Sequence, residues 1–429
     1  MAMAASRAIS LPRLDRNMLH YVGVASGPFG AAGVQFLLSL ILLHILEPAE
    51  FGAFSLLFLL SQLLLLMWSA LFCAPIILSM TGSDDEQAVS AILATNMLAA
   101  IACGAALLGG AIWLGLSAAA ATGFALYASL SLVRWLGRSV CYARNAAMRV
   151  MLSDHGYTVV LLVATGWIAL SPRATLEMAC FGLAVAMLFA LAGVGGRFAH
   201  MQLRALNPRH LVPALAHYRA IWRGQASWSL AGSLAAEFMG NNQAFVVTAM
   251  LGPRAFAPLA ASFLLVRPIP IAITAMAEYE RARMASAISR GAAGELQSLL
   301  RGFSAAMLAI WVATGALAAV LLGSAPGLIF PSAHYALPIL VSGTALWMAA
   351  ALPRCLRAPA ATALQAAGEF RPLAIAGAAG SVVSLAAVAV FLCAAPPVWT
   401  LLGTLAGEVA ATALVWRSLA RRSRRLVAA

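Results

Sequence analysis

Apolar runs of about 20 residues recur from one end of the chain to the other, each long enough to cross a hydrocarbon core. They fall at 23–46, 51–79, 91–116, 118–140, 157–170 and 179–194, and after a basic segment at 227–251, 255–277, 304–322, 337–352, 373–393 and 400–419. A backbone in lipid must satisfy its own polar groups, so runs of this length at this number become membrane helices. With 63% hydrophobic and only 10% charged residues among 429, the chain lacks the polar surface of a soluble globule. The reading is an all-α polytopic membrane protein of twelve transmembrane helices.

The basic residues set the orientation. All 27 are arginine, and a net charge of +13 in a soluble chain would suggest nucleic-acid binding. Their positions suggest lipid topology instead. With the N-terminus in the cytoplasm, 24 of the 27 lie on the cytoplasmic side, including Arg354 and Arg357 in an inner loop. Arg173 and Arg254 fall in outer loops, and Arg267 is deep in a span. That is the positive-inside pattern, with both termini cytoplasmic and no nucleic-acid partner. The acidic first inner loop, TGSDDEQ, does not oppose it, because Asp and Glu contribute little to the rule. Arg134 and Arg417, near the same face, read as snorkelling anchors. The first twenty residues are polar and basic, which does not fit a cleavable signal peptide. The six cysteines are scattered without paired spacing and read as packing residues; no metal site, cofactor or GxxxxGK nucleotide loop is expected.

The chain repeats itself at a shift of 205 residues. Leu46, Pro48, Phe51, Phe58, Leu59 and Leu60 fall on Leu251, Pro253, Phe256, Phe263, Leu264 and Leu265, six identities in 17 positions with a shared L-x-P-x-x-F turn. Six spans separate the copies, so both halves enter the membrane in the same direction, related by a pseudo-two-fold along its normal. The expected division is a tail at 1–20, an N-terminal lobe at 21–196, an interfacial linker at 197–226, a C-terminal lobe at 227–419 and a basic tail at 420–429. The linker mixes apolar and basic residues at helical spacing, as a helix lying on an anionic leaflet does; it reads as a connector or as a lever between lobes.

The candidate site lies in the hairpin 231–267, where Glu237, Asn241, Asn242 and Gln243 interrupt one span and Arg267 the next. Ionisable groups in hydrocarbon cost several kcal/mol each and mark pathways or pairs. Helix rise places Glu237 about 21 Å below its outer end and Arg267 about 18 Å below its own, so the two could meet as an ion pair. Arg267 is either a contact for a phosphate group or that structural pair, and Pro268 and Pro270 after it predict a kink. Asn241, one turn from Glu237, and Gln35 and Gln62 in the first two spans complete the candidate binding residues, each alternatively a helix-bridging amide. Glu237 and Glu408 are the candidate coupling or ion-pair carboxylates. In the repeat, Gln62 takes the place of Arg267, which leaves the interior charge one-sided.

The opening GPFGAAGVQFLLSLILLHILEPAEFGAFSLLFLL, the segment RAIWRGQASWSLAG and the stretch ALQAAGEFRPLAIAGAAGSVVSL resemble polysaccharide and O-antigen flippases of the multidrug/oligosaccharidyl-lipid/polysaccharide exporter superfamily. The resemblance implies V-shaped lobes around a central cavity, alternating access, and export of a lipid-linked oligosaccharide across the bacterial inner membrane. It further implies an undecaprenyl pyrophosphate carrier, contact with membrane lipids, and other polysaccharide-assembly proteins as partners. A cation-coupled small-molecule or drug antiporter of the same superfamily shares the topology. A glycan polymerase or ligase would need a large outer loop with catalytic residues, and the longest here, GSAPGLIFPSAHYALP, is small, so an enzyme is not expected.

Overall fold

The computed structural model describes residues 16–80, 86–144, 146–206, 208–223, 227–324, 326–330 and 335–428. Most of the N-terminal tail, five residues of the acidic loop and part of the longest outer loop lie outside them. The described residues are helical almost throughout. In chain order the helices are α1 (Arg16–Ile45), α2 (Pro48–Trp68), α3 (Ala74–Leu78), α4 (Glu86–Trp113), α5 (Ala118–Ala143), α6 (Ala147–Leu170), α7 (Leu176–Val194), α8 (Gly196–Ala205) and α9 (Pro208–Ile221). The second half follows with α10 (Ser227–Leu251), α11 (Pro253–Leu264), α12 (Pro268–Ser289), α13 (Ala293–Ser324), α14 (Pro326–Ile329), α15 (Leu337–Ala366), α16 (Phe370–Ala394) and α17 (Leu401–Ala428).

Joining α2 to α3 and α11 to α12 gives the twelve-span layout. Eight spans are long and apolar enough individually, and α11 with α12 passes as a pair bent by 62°. The other three are α1, whose apolar part is Gly30–Ile45, α6, which carries Arg149, Asp154 and His155, and α10, which carries Glu237, Asn241, Asn242 and Gln243. Their polar groups depress hydropathy because they are meant for other helices rather than for lipid.

Both lobes use one neighbour map. In the first, α1 packs on α6, α6 on α7, α5 on α7 and α4 on α5; in the second, α10 packs on α16, α16 on α17, α15 on α17 and α13 on α15. These are the same pairs counted from each lobe's first span, as the internal repeat requires. Between the lobes runs α2, against α11 and, further along, against α10. Phe51, Phe54, Leu57 and Phe58 share one buried cluster with Ala257, Ala261, Leu264 and Leu265. Small residues let these backbones approach closely: a methyl on Gly52 would collide with the Pro253 carbonyl oxygen and lie 3.3 Å from the Ala257 nitrogen. The V is thus drawn together along α2.

Two irregular stretches follow from proline chemistry. Pro75 has no N–H for the Leu71 carbonyl four residues back, and the chain there widens into a π turn, Ser69–Cys73. Tyr218 of α9 donates its hydroxyl to that carbonyl at 2.9 Å and stacks on Phe72 at 5.4 Å. Burial raises the phenol pKa above its ordinary value, so it remains a donor. The linker is thereby fastened to the first lobe. Tyr218→Phe is expected to cost about 1–3 kcal/mol by orphaning the carbonyl, measured as a lower thermal midpoint.

Candidate functional site

The second break sits between α11 and α12. Val266 and Arg267 close tight turns to Phe263 and Leu264 through their N–H groups, and Pro268 and Pro270 cannot extend the ladder. The 62° bend turns Arg267 out of its own lobe. Its Nη1 donates to Ser39 Oγ of α1 at 3.3 Å, and its guanidinium lies over the Phe58 ring of α2 at 5.3 Å. Arg267 therefore occupies the seam, held by an alcohol and a ring face, and no carboxylate pairs with it among the described residues. The expected meeting of Arg267 with Glu237 does not occur. Similar expected depth does not bring two groups together when the helix break aims one of them at the opposite lobe.

From Arg267 a polar line crosses the first lobe. Ser39 Oγ donates to the Gln35 carbonyl at 2.8 Å, and Gln35 Nε2 donates to the Tyr157 hydroxyl at 2.9 Å. The Arg134 guanidinium lies 5.6 Å from the Tyr157 ring centre. Arg134 donates through Nε to Ser153 Oγ at 2.8 Å and pairs closely with Asp154, whose other oxygen takes Arg138 at 3.2 Å. Asp154 is 2% exposed, so it must be paired to stay charged. Gln35 thus spends its amide on Tyr157. Gln62 is exposed on α2, one turn along from Phe58 and on the same face.

In the second lobe, Glu408 takes Arg354 on Oε1 at 2.7 Å and Arg357 on Oε2 at 2.8 Å. Glu237 accepts from Asn241 Nδ2 at 3.1 Å. Asn242 and Gln243 are internal ties: Ser384 donates to Asn242 Oδ1 at 3.2 Å, and Thr404 donates to Gln243 Oε1 at 3.0 Å. Each lobe therefore carries two arginines on its fourth span clasping one carboxylate.

These clusters correct three expectations. Arg134 is no snorkelling anchor but a buried partner of Asp154, and the interior charge is not confined to the second lobe. Arg354 and Arg357 are not in an inner loop, because α15 continues fourteen residues past the expected end at 352. Boundaries drawn where the apolar run thins cut off the polar end of a helix that is still inside the bundle. The missed signal was spacing: 134 with 138 and 354 with 357 are each one turn apart, which places each pair on one face.

No family model matches the chain, and no curated protein matches it. Solved structures match over nearly its whole length. An inward-facing multidrug resistance MATE family transporter of the MOP superfamily aligns over 92% of this chain and 95% of its own, with a TM-score of 0.68 and 14% identity. An outward-facing structure of the same description covers 96% of each chain at 0.58 and 13%. The lipid II flippase MurJ, in an inward closed conformation, aligns over 92% of this chain and 87% of its own at 0.64 and 11%. The fold is that of these membrane transporter and flippase structures.

Proposed function

We propose that the chain exports a lipid-linked oligosaccharide, a polysaccharide or O-antigen precursor on an undecaprenyl pyrophosphate-type carrier. It would move its cargo from the cytoplasmic to the periplasmic leaflet of the bacterial inner membrane by alternating access of the two lobes. The arginine-rich face is the cytoplasmic one in this reading, with both termini there. The observation that carries the proposal is Arg267: a cation at the lobe seam with no carboxylate paired to it among the described residues, free to exchange Ser39 and Phe58 for a diphosphate. Exposed Gln62 offers an amide to sugar hydroxyls one turn away. Among the described residues, Arg134 and Arg138 share the one carboxylate of Asp154, and Arg354 and Arg357 share that of Glu408, so the interior favours anions.

The second reading, a cation-coupled antiporter of drugs or small molecules, is favoured by the likeness to MATE transporters. One strain separates the two. Cells without the gene are expected to accumulate lipid-linked precursor and lose surface glycan, with unchanged resistance to cationic drugs. Normal surface glycan together with drug sensitivity would replace the flippase reading by the antiporter.

A further inference from the structure

Two carboxylates inside one apolar lobe would ordinarily recruit a cation, because an unpaired buried charge costs several kcal/mol. In the second lobe the cation belongs to the chain. Both oxygens of Glu408, itself 1% exposed, are taken by guanidiniums: Arg354 through Nε at 2.8 Å and Nη2 at 2.7 Å, Arg357 through Nη2 at 2.8 Å. The same Arg354 head group lies against α10 at Gly240, where a methyl would come 2.5 Å from Nη2 and 3.4 Å from Cζ. Glycine leaves that room without displacing the guanidinium. Glu237 is one turn before Gly240 on the same face of α10, within electrostatic reach of Arg354, Arg357 and Glu408. Two carboxylates and two guanidiniums balance, with Arg354 bonded to Glu408 and its head group against α10 one turn from Glu237.

We infer that Arg354 is a tethered counter-cation occupying the position between Glu237 and Glu408 that a sodium ion would otherwise take, so that the second lobe binds no sodium. Gly240 is then the residue that admits a guanidinium where a bound ion would need none of that space. The inference goes beyond the proposed export: it concerns energetics, and it holds whether the cargo is a lipid-linked glycan or a small molecule.

The test uses the purified full chain in detergent, with thermal midpoints compared in sodium chloride and choline chloride at equal ionic strength. Wild type is expected to show the same midpoint in both. Arg354→Gln, which leaves the acids one cation short, is expected to gain a saturable rise with sodium, since a ligand that binds only the folded state stabilises it. A saturable sodium-dependent rise in wild type that disappears in Glu237→Gln would overturn the inference. So would an Arg354→Gln protein that folds and stays indifferent to sodium. Should Arg354→Gln fail to fold, wild type against Glu237→Gln decides alone.

Discussion

Arg267→Ala abolishes glycan export while the protein reaches the membrane at its normal level; this is the expected result for a residue whose worth lies in the cargo rather than in the fold. Among the described residues its polar contacts are one 3.3 Å hydrogen bond and one ring face at 5.3 Å. A cation–π contact contributes roughly 0.5–2 kcal/mol, and alanine also removes the cost of holding a guanidinium half-buried, so stability changes little. Against a diphosphate the balance reverses. Each charge-assisted bond is worth about 1.5–3 kcal/mol, and two lost together weaken binding by roughly a hundredfold or more. Arg267→Lys keeps a point charge but not the planar fork, and retains part of the activity. Surface glycan measured beside membrane abundance decides the matter. An active alanine variant at normal abundance removes Arg267 from the site.

Glu408→Gln produces the largest loss of stability. It leaves two guanidiniums, on Arg354 and Arg357, facing each other inside the second lobe without their shared carboxylate. Breaking a buried pair by removing one partner costs about 3–5 kcal/mol, far more than the pair's net worth. The expected result is a large fall in thermal midpoint and in membrane level. Glu408→Gln combined with Arg357→Gln should recover part of the loss, because the surplus cation disappears with its acid. If Glu408→Gln were as stable as the parent, the cluster would not be holding α15 to α17.

The twelve spans and their like-oriented halves were legible in the sequence because both rest on repetition: apolar length recurs, and L-x-P-x-x-F recurs with it. The kink after Arg267 was legible in Pro268 and Pro270. The charge partners were not. Asp154 and Arg354 lie at the polar ends of α6 and α15, where a hydropathy criterion stops counting although the helices continue inside the bundle. Pairing also depends on where a helix face points, and depth alone cannot give that. Helix rise gives Glu237 and Arg267 similar expected depths, yet one meets Asn241 in its own helix and the other meets Ser39 across the seam. The buried amides divided in the same way, with Gln35 spent on Tyr157 and Gln62 left exposed.

The most direct measurement of cargo movement is made in proteoliposomes holding the purified chain and a fluorescent undecaprenyl-pyrophosphate oligosaccharide, with a membrane-impermeant quencher added outside. The account predicts that wild type exposes the inner-leaflet label far faster than empty vesicles do, and that Arg267→Ala does not. Label movement no faster than in empty vesicles, with a cationic dye transported by the same preparation, would contradict it.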